Sequence, residues 1–220
     1  MVSGIIVAAG KGSRMGASTN KVLLKLGGKE IIEYTIEAFE KCRDIDEIIL
    51  VISKAEEKLF KDIKKRHNII TTFGGETRTD SVLNGLEAAH GDWAVIHDGA
   101  RAMIEPELIK KVIDDARKFG AATLGVKAKD TIKIVDSNGI VKNTTDREYT
   151  YQTQTPQVFE RSFIISAHKK NTSAVTDDAT LAELCGKQVK ITEGSYENIK
   201  ITTPEDLILA DGILKGRKGQ

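Results

Sequence analysis

Short apolar runs alternate along the chain with longer segments whose apolar residues recur at helical spacing. Ser3–Ala9 and Glu47–Ile52 are continuous apolar runs of the kind expected of strands buried on both faces. Between them, Glu30–Cys42 shows the spacing of an amphipathic helix. Three more strands and three more helices are predicted in alternation: Ala55–Arg66, Ile69–Phe73, Thr79–Ala89, Trp93–His97, Glu105–Phe119 and Ala121–Val126. The alternation predicts an α/β fold, a mostly parallel sheet with helices on both faces.

The pattern changes after residue 130. Thr131–Asp136 and Ile140–Thr144 flank an Asn-Gly turn, which predicts a β-hairpin. We interpret residues 131–158, approximately, as a β-arm inserted into a single domain that spans residues 1–220. An isolated two-stranded ribbon is marginal in water, so we expect a second copy of the chain to cover it. The remaining predicted elements are helices at Phe159–Lys169, Thr176–Leu184 and Pro204–Leu214, and strands at Gln188–Thr192 and Glu197–Ile201.

Composition narrows the functional classes. The 220 residues include 33 Lys plus Arg and 32 Asp plus Glu, a net charge of +1 that gives no general reason to bind nucleic acid. No apolar run approaches the roughly 18 residues of a membrane span, and the first nine residues lack the basic start of a secretory signal. Two cysteines, Cys42 and Cys185, make neither a disulfide framework nor a zinc site. We therefore expect a cytoplasmic protein that binds neither nucleic acid nor membranes.

A glycine-rich loop carries the clearest chemical signal. The segment Ala8–Gly16 (AAGKGSRMG) leaves the first predicted strand, and Asn20-Lys21 follows it. Glycines let backbone N–H groups surround an anion, and Arg14 and Lys21 add two cations. The segment is neither a dinucleotide fingerprint, because Met15 occupies the third glycine position, nor a P-loop. A plain turn between strand and helix is the alternative, but two cations on one loop suit a triphosphate better.

Three further clusters follow predicted strands or lie within one. Gly74–Arg78 (GGETR) and the nearby Ser81 either contact a base or ribose or form an ordinary loop and helix cap. Asp98, in the segment His97–Arg101 (HDGAR), suits a Mg²⁺ ion or ribose hydroxyls but also a turn, whereas His97 suits the core. Lys200 has isoleucine on both sides, so it belongs to a solvated face unless it points into a nucleotide site.

These motifs, in this order, resemble the 2-C-methyl-D-erythritol 4-phosphate cytidylyltransferase family over nearly the whole chain. Three more segments share the resemblance: Gln154–Gln157 (QTPQ), Thr176–Ala179 (TDDA) and Asn198–Thr202 (NIKIT). The resemblance implies a three-layer, Rossmann-like nucleotidyltransferase domain whose protruding β-arm exchanges contacts across a homodimer. Ala102 departs from the family, which usually has proline there. This change removes no functional group.

The resemblance also implies roles for individual residues. Arg14 and Lys21 match stabilisers of the transition state on the triphosphate, and Arg147 and Lys200 match residues that hold the incoming phosphate. Thr131, Arg147 and Thr155 are placed on the arm by this comparison. The implied binding residues are Ala8, Ala9, Gly10, Gly12, Gly75, Ser81, Asp98, Ala100, Arg101, Thr131 and Thr155. The implied cofactor is Mg²⁺, bound mainly through the phosphates of CTP, with Asp98 as the candidate protein ligand.

The implied reaction joins CTP and 2-C-methyl-D-erythritol 4-phosphate, giving 4-diphosphocytidyl-2-C-methyl-D-erythritol and pyrophosphate in non-mevalonate isoprenoid precursor biosynthesis. A cytidylyltransferase acting on ribitol 5-phosphate is the nearest alternative, since Tyr151–Gln157 (YQTQTPQ) fits its relatives too. A nucleotide-sensing protein without enzymatic activity is a second alternative. Such a protein would not need Arg14, Lys21 and Lys200 together.

Overall fold

The structure is a computed structural model that describes residues 1–10, 20–171 and 175–218. The strands are β1 (Val2–Val7), β2 (Lys25–Leu26), β3 (Lys29–Glu30), β4 (Glu47–Ile52), β5 (Ile70–Phe73), β6 (Trp93–Asp98), β7 (Ala121–Lys127), β8 (Lys133–Val135), β9 (Val141–Thr144), β10 (Tyr151–Glu160) and β11 (Lys190–Glu193). The α-helices are α1 (Ile31–Lys41), α2 (Lys61–Arg66), α3 (Arg78–Ala88), α4 (Pro106–Phe119), α5 (Arg161–Lys170), α6 (Asp178–Leu184) and α7 (Pro204–Lys218). Short 3-10 helices cover Lys21–Leu23 and Lys54–Phe60.

Seven strands form one sheet in the order β11-β7-β10-β6-β1-β4-β5. β1 lies between β6 and β4 and is parallel to both, and β5 continues the parallel set beyond β4. β11 is parallel to β7, whereas β10 runs antiparallel to both of its neighbours, β6 and β7. The sheet is therefore mostly parallel, which confirms the predicted α/β class.

Neighbouring side chains of β1 point to opposite faces of the sheet, and each face is covered by helices. Ile6 packs into a cluster with Phe39 of α1 and residues of α4, while Ile5 packs into a second cluster with Leu86 of α3 and residues of α5 and α6. Gly4 is needed for this packing, because a Cβ there would lie 2.5 Å from the Phe39 ring. The result is the expected three-layer arrangement of helices, sheet and helices.

The largest difference from the prediction is β10. We expected Tyr151–Val158 in the arm and Phe159 in a helix, but Tyr151–Glu160 is a long strand inside the main sheet. The part of the insertion outside the sheet is thus shorter than the predicted 131–158. The sequence does not predict this strand because several of its buried residues are polar. Gln157, for example, is fully buried, and its side-chain amide donates to the Thr123 hydroxyl and the Asp177 carboxylate.

Two smaller predictions also need correction. Glu197–Ile201 is not a strand; a turn at Tyr196-Glu197 is followed by an irregular segment, whose Ile201 N–H bonds to the carbonyl of Ala100 in the turn after β6 (2.9 Å). The segment Ala55–Arg66, predicted as one helix, is split between the 3-10 helix Lys54–Phe60 and the short helix α2.

The predicted hairpin forms the ribbon of β8 and β9, with Gly139 at φ +80° in its turn. Its residues are exposed throughout both strands. Large apolar side chains are included, among them Ile134, Val135 and Val141, each about half exposed. Such a concentration of exposed apolar surface is typical of a segment that another molecule covers.

Among the described helices, none combines the length and the hydrophobicity that a membrane span requires.

Candidate active site

A cleft of about 610 Å³ opens at the carboxyl ends of β1, β4, β5 and β6, where open α/β sheets bind their ligands. It contains most of the residues that the glycine loop and the later motifs single out. The residues that line it are Val7, Ala8, Ala9, Gly10, Asn20, Lys21, Val22, Ser53, Lys54, Ala55, Gly74, Gly75, Glu76, Thr77, Arg78, Ser81, Asp98, Ala100, Lys200 and Thr202.

Asn20 anchors the returning end of the glycine loop beside β1. Its buried side-chain amide donates to the Ala8 carbonyl (2.6 Å) and to the Glu56 carboxylate (2.9 Å). Its Oδ1 accepts a bond from Val22 N–H at the start of the following 3-10 helix. These bonds place Lys21 at the cleft. Two predicted site residues, Gly12 and Arg14, lie outside the described residues.

The loop before α3 forms another wall of the cleft. Thr77 caps the helix and exchanges bonds with Asp80 in a capping box, so Thr77, rather than Ser81, is the cap. The Ser81 hydroxyl donates to the Thr77 carbonyl (2.9 Å) and accepts from Gly75 N–H (3.2 Å). Gly74 has no room for a side chain, because a Cβ would lie 2.5 Å from that of Ala9. Gly74, Gly75 and Ser81 are thus closely packed at this wall of the cleft, and the predicted contacts of Gly75 and Ser81 with a nucleotide stay a prediction.

Asp98, at the end of β6, lies among three cations. Its carboxylate is 2.7 Å from Lys200 Nζ, 3.4 Å from Arg78 Nε and 3.9 Å from Arg101 Nε. Burial raises the pKa of Asp98, but Arg78 and Lys200 outweigh burial and hold that pKa below its ordinary value. One anion among three cations leaves excess positive charge, which favours the binding of phosphate groups.

Arg101 and Lys200 are held by the segment that follows β11. Arg101 is mostly buried and donates from Nη1 to the Asn198 carbonyl (2.7 Å). Asn198 in turn donates to the Thr155 carbonyl (2.9 Å). Lys200 lines the cleft and pairs with Asp98 there, while its side chain stays 38% exposed. Arg101 contacts Asp98 but is not part of the cleft lining.

Thr155 supports the site from β10 and is not on the arm, which corrects the predicted placement. Its buried hydroxyl accepts a bond from Asp98 N–H (3.0 Å) and lies 3.0 Å from His97 Nδ1. His97 is fully buried, as predicted for a core residue, and burial lowers its pKa to about 3. Because His97 Nε2 faces the Arg101 carbonyl at 3.3 Å, the neutral ring carries its proton on Nε2 and accepts from Thr155 at Nδ1.

The arm residues are not brought to the cleft of their own chain. Arg147 donates from Nη2 to the Thr131 hydroxyl (2.9 Å), and both side chains are exposed. Neither residue is part of the cleft lining.

The side chains of the cleft that could bind a metal ion suit an ion whose ligands are mostly phosphate oxygens better than an ion bound by protein groups alone. In the part of the chain that the structure describes, no group of three or more His, Cys, Asp or Glu residues is arranged to hold a metal. Asp98, the candidate ligand, already has one carboxylate oxygen paired with Lys200 and the other with Arg78. A carboxylate in this state contributes at most a minor share of the oxygens that Mg²⁺ needs.

Two residues that the sequence analysis names only as parts of motifs, without a role of their own, take part in the site. Arg78 lines the cleft and joins Asp98 to Asp178, with 3.0 Å between Arg78 Nη1 and the Asp178 carboxylate. Its place at the end of the Gly-Gly motif was a usable signal. The anchoring role of Asn20 is not visible in the sequence, because its partner Glu56 lies 36 residues away.

Comparison with known proteins identifies the family of this chain. The family model described as 2-C-methyl-D-erythritol 4-phosphate cytidylyltransferase matches residues 2–216. Proteins of that name from Pelotomaculum thermopropionicum and Clostridium perfringens are 42% and 45% identical to this chain; the alignments cover 100% and 97% of this chain, and 96% and 99% of the relatives.

Solved structures give the same result. The 4-diphosphocytidyl-2C-methyl-D-erythritol synthase from Anaerococcus prevotii superposes with a TM-score of 0.89 at 38% identity, covering 98% of this chain and 96% of that one. The 2-C-methyl-D-erythritol 4-phosphate cytidylyltransferase from Thermus thermophilus superposes with a TM-score of 0.80 at 29% identity, covering 96% and 98% of the two chains.

Proposed function

Since this chain belongs to the 2-C-methyl-D-erythritol 4-phosphate cytidylyltransferase family, it is a nucleotidyltransferase of isoprenoid precursor biosynthesis, and we propose how its cleft performs the reaction. The relatives favour 2-C-methyl-D-erythritol 4-phosphate as the acceptor and give no support to ribitol 5-phosphate. We propose that CTP is the donor, bound across the ends of β1, β5 and β6. The observation that carries this proposal is the group of cations around Asp98 in a cleft walled by glycine backbone.

In the proposed reaction, a phosphate oxygen of the acceptor attacks the α-phosphorus of CTP. A new P–O bond forms, the bond between the α-phosphorus and the bridging oxygen breaks, and pyrophosphate leaves with the electron pair. The attacking phosphate is already an anion, so no general base is required. The protein must hold mutually repelling anions in line and neutralise the charge that grows on pyrophosphate.

The cations of the chain are suited to these two tasks. Lys21, placed at the cleft by Asn20, and Arg14 are proposed to stabilise the charge on the triphosphate. Lys200 is proposed to hold the acceptor phosphate, since its ammonium reaches into the cleft beside Asp98. Arg78 adds a further cation to the same wall. Preorganised charges of this kind cost little reorganisation during the reaction.

Backbone groups are proposed to select the base. Ala8–Gly10 and Gly75 line the cleft, and Gly74 beside them leaves no room for a side chain, since a Cβ there would lie 2.5 Å from that of Ala9. We expect this wall to favour the smaller pyrimidine ring over a purine. Uracil would reverse the donor and acceptor pattern at its 4-position and leave buried polar groups unpaired.

We also propose that Mg²⁺ accompanies the triphosphate. When bound, the ion neutralises phosphate charge and polarises the phosphate oxygens. The described part of the cleft offers few free carboxylates, so the residues fit an ion that is held mainly by the nucleotide. Asp98 is the candidate ligand from the protein. The work of the chain is then to place the phosphates with Lys21, Lys200 and Arg78.

The active enzyme is proposed to be a homodimer that exchanges arms. The ribbon of β8 and β9 exposes apolar side chains, and Arg147 lies far enough out to be absent from its own cleft lining. A two-fold dimer would cover the ribbon and deliver Arg147 and Thr131 to the acceptor phosphate of the other subunit.

A cytoplasmic location is proposed as well, because Cys42 and Cys185 are free thiols, as is usual in a reducing compartment.

The donor and acceptor are tested by measuring pyrophosphate release with each pair of substrates. We expect turnover with CTP and 2-C-methyl-D-erythritol 4-phosphate, and at least a hundredfold lower kcat/KM with UTP or with ribitol 5-phosphate, about 3 kcal/mol of discrimination. Comparable kcat/KM for UTP and CTP would refute the proposed base pocket. Comparable values for the two acceptors would refute the assigned acceptor.

The shared site is tested by mixing two inactive variants, Lys21→Ala and Arg147→Ala, through denaturation and refolding. If Arg147 acts in trans, each mixed dimer has one intact site and one doubly altered site. Random pairing makes about half of the dimers mixed, so roughly a quarter of all sites recover activity. If Arg147 acts on its own chain, every site keeps one lesion and no activity returns, which would exclude the shared site but not the cytidylyltransferase activity.

A further inference from the structure

A buried carboxylate lies behind the wall of the cleft and has no contact with the cleft itself. Asp178, the first residue of α6, has a side chain that is only 2% exposed. Its Oδ2 accepts a bond from Arg78 Nη1 (3.0 Å), and its Oδ1 lies 3.0 Å from Nε2 of His168 on α5. Its N–H donates to Oε1 of the buried Gln157 (3.0 Å). A charge buried this deeply is tolerated only when it is paired, so Asp178 and Arg78 depend on each other.

Two carboxylates fix the orientation of the Arg78 guanidinium. Nη1 bonds to Asp178 and Nε pairs with Asp98 at 3.4 Å, while neither contact uses Nη2. Because the guanidinium is planar, these two contacts determine the plane in which Nη2 lies. Burial lowers the pKa of Arg78, but Asp178 and Asp98 outweigh it and raise that pKa above its ordinary value, so the group stays charged. Arg78 is thus a fixed cation on the cleft wall.

Asp178 is the more rigid of the two anchors. Asp98 has three cationic neighbours and lines the cleft, so phosphates bound there would compete with it for those cations. Asp178 is held by His168, Gln157 and the backbone of α6, away from the ligand. If the contact between Arg78 and Asp98 changes, the bond from Asp178 still holds the Arg78 guanidinium in the same orientation.

We propose that Asp178 is a positioning residue for the nucleotide: it holds Arg78 with Nη2 directed at an anionic or carbonyl oxygen of the bound nucleoside triphosphate. His168 and Gln157 hold Asp178 in turn. This inference rests on the proposed binding of CTP in the cleft. Asp178 does not touch the ligand, so its loss weakens binding of the nucleotide and leaves the chemical step nearly unchanged.

The test is a double-mutant cycle on steady-state kinetics of purified, folded protein with CTP. Asp178→Asn keeps the shape and removes the charge, and we expect it to raise KM for CTP about tenfold while kcat changes less than about threefold. In an Arg78→Lys background, which cannot bridge both carboxylates, the same change is expected to have no further effect on KM. Glu87→Gln is the matched control, since it removes the Lys169–Glu87 ion pair between α3 and α5 (2.8 Å) without touching Arg78.

Equal increases of KM in the wild-type and Arg78→Lys backgrounds would overturn the inference, because Asp178 would then act on the fold and not through Arg78. An unchanged KM in Asp178→Asn would also overturn it. If Asp178→Asn does not fold, His168→Leu removes one support of Asp178 and is expected to raise KM about threefold, again only when Arg78 is present. Failure of wild-type protein to turn over CTP would refute the proposed donor, an outcome distinct from each of these.

Discussion

The buried side chain of His97 leads to a quantitative prediction for how the free energy of unfolding changes in acid. His97 has a pKa of about 3 in the folded protein, against 6.5 for the exposed side chain, because burial disfavours its charged form. In the unfolded chain the imidazole takes up a proton below about pH 6.5, whereas in the folded chain it does not until about pH 3. The unfolded state therefore binds more protons in this range, and the free energy of unfolding falls as the pH falls.

The size of the effect follows from the two pKa values. Between about pH 7 and pH 4.5, linkage gives a loss of roughly 2.5 kcal/mol of stability from His97 alone. The ordinary pKa of Asp98 lies below this window, so its titration, which acts in the same direction, contributes little here. Urea unfolding at several pH values and one protein concentration measures the loss, since dimerisation would make stability depend on concentration.

The variant His97→Gln keeps a donor and an acceptor but cannot be protonated. We expect it to be less stable than wild type near neutral pH and to lose about 2.5 kcal/mol less between about pH 7 and pH 4.5. His90→Gln is the control, because the His90 side chain is 72% exposed. If wild type and His97→Gln lose the same free energy within about 0.5 kcal/mol, the reasoning about His97 is refuted.

Three other predictions follow from the site and the core. Lys21→Ala is expected to lower kcat at least a hundredfold, about 3 kcal/mol, with little change in Tm; near-normal kcat would contradict its role. Asn20→Ala, which frees the loop from Ala8 and Glu56, is expected to cost about 1–3 kcal/mol of stability and to lower kcat, measured by unfolding and initial rates. Phe39→Ala is expected to cost about 3–5 kcal/mol in urea unfolding, because its ring is fully buried; a loss below about 1 kcal/mol would contradict the packing described.

Elements with a regular pattern of hydrophobic residues are predicted well from the sequence. The continuous apolar run Glu47–Ile52 is β4 without any shift of its ends, and Glu105–Phe119 is α4 with Pro106 at its first turn. The Asn-Gly pair also places the hairpin correctly. In each case local physics and the tertiary environment favour the same structure, so a single segment carries enough information.

The sequence pattern misses or misplaces elements whose buried side chains are polar. The sequence pattern assigns β10 to the arm because Gln154, Thr155 and Gln157 do not look like a buried strand. Their side chains are buried because other segments supply hydrogen bonds: Ser195, Asn198, Asp98 and Asp177 are their partners. Such partners are distant in sequence, and no periodicity reveals them.

The sequence by itself determined the fold class, the glycine loop and the set of motifs that meet at one edge of the sheet, because strand ends and glycine turns are local features. Only the tertiary structure decided which charges face one another. Asp98, Lys200 and Arg78 come from three separate segments, and their contacts of 2.7 and 3.4 Å set the charge of the cleft. Asp178 reaches Arg78 across 100 residues of sequence. Electrostatic interactions depend on distance and burial in space, and a linear sequence specifies neither directly.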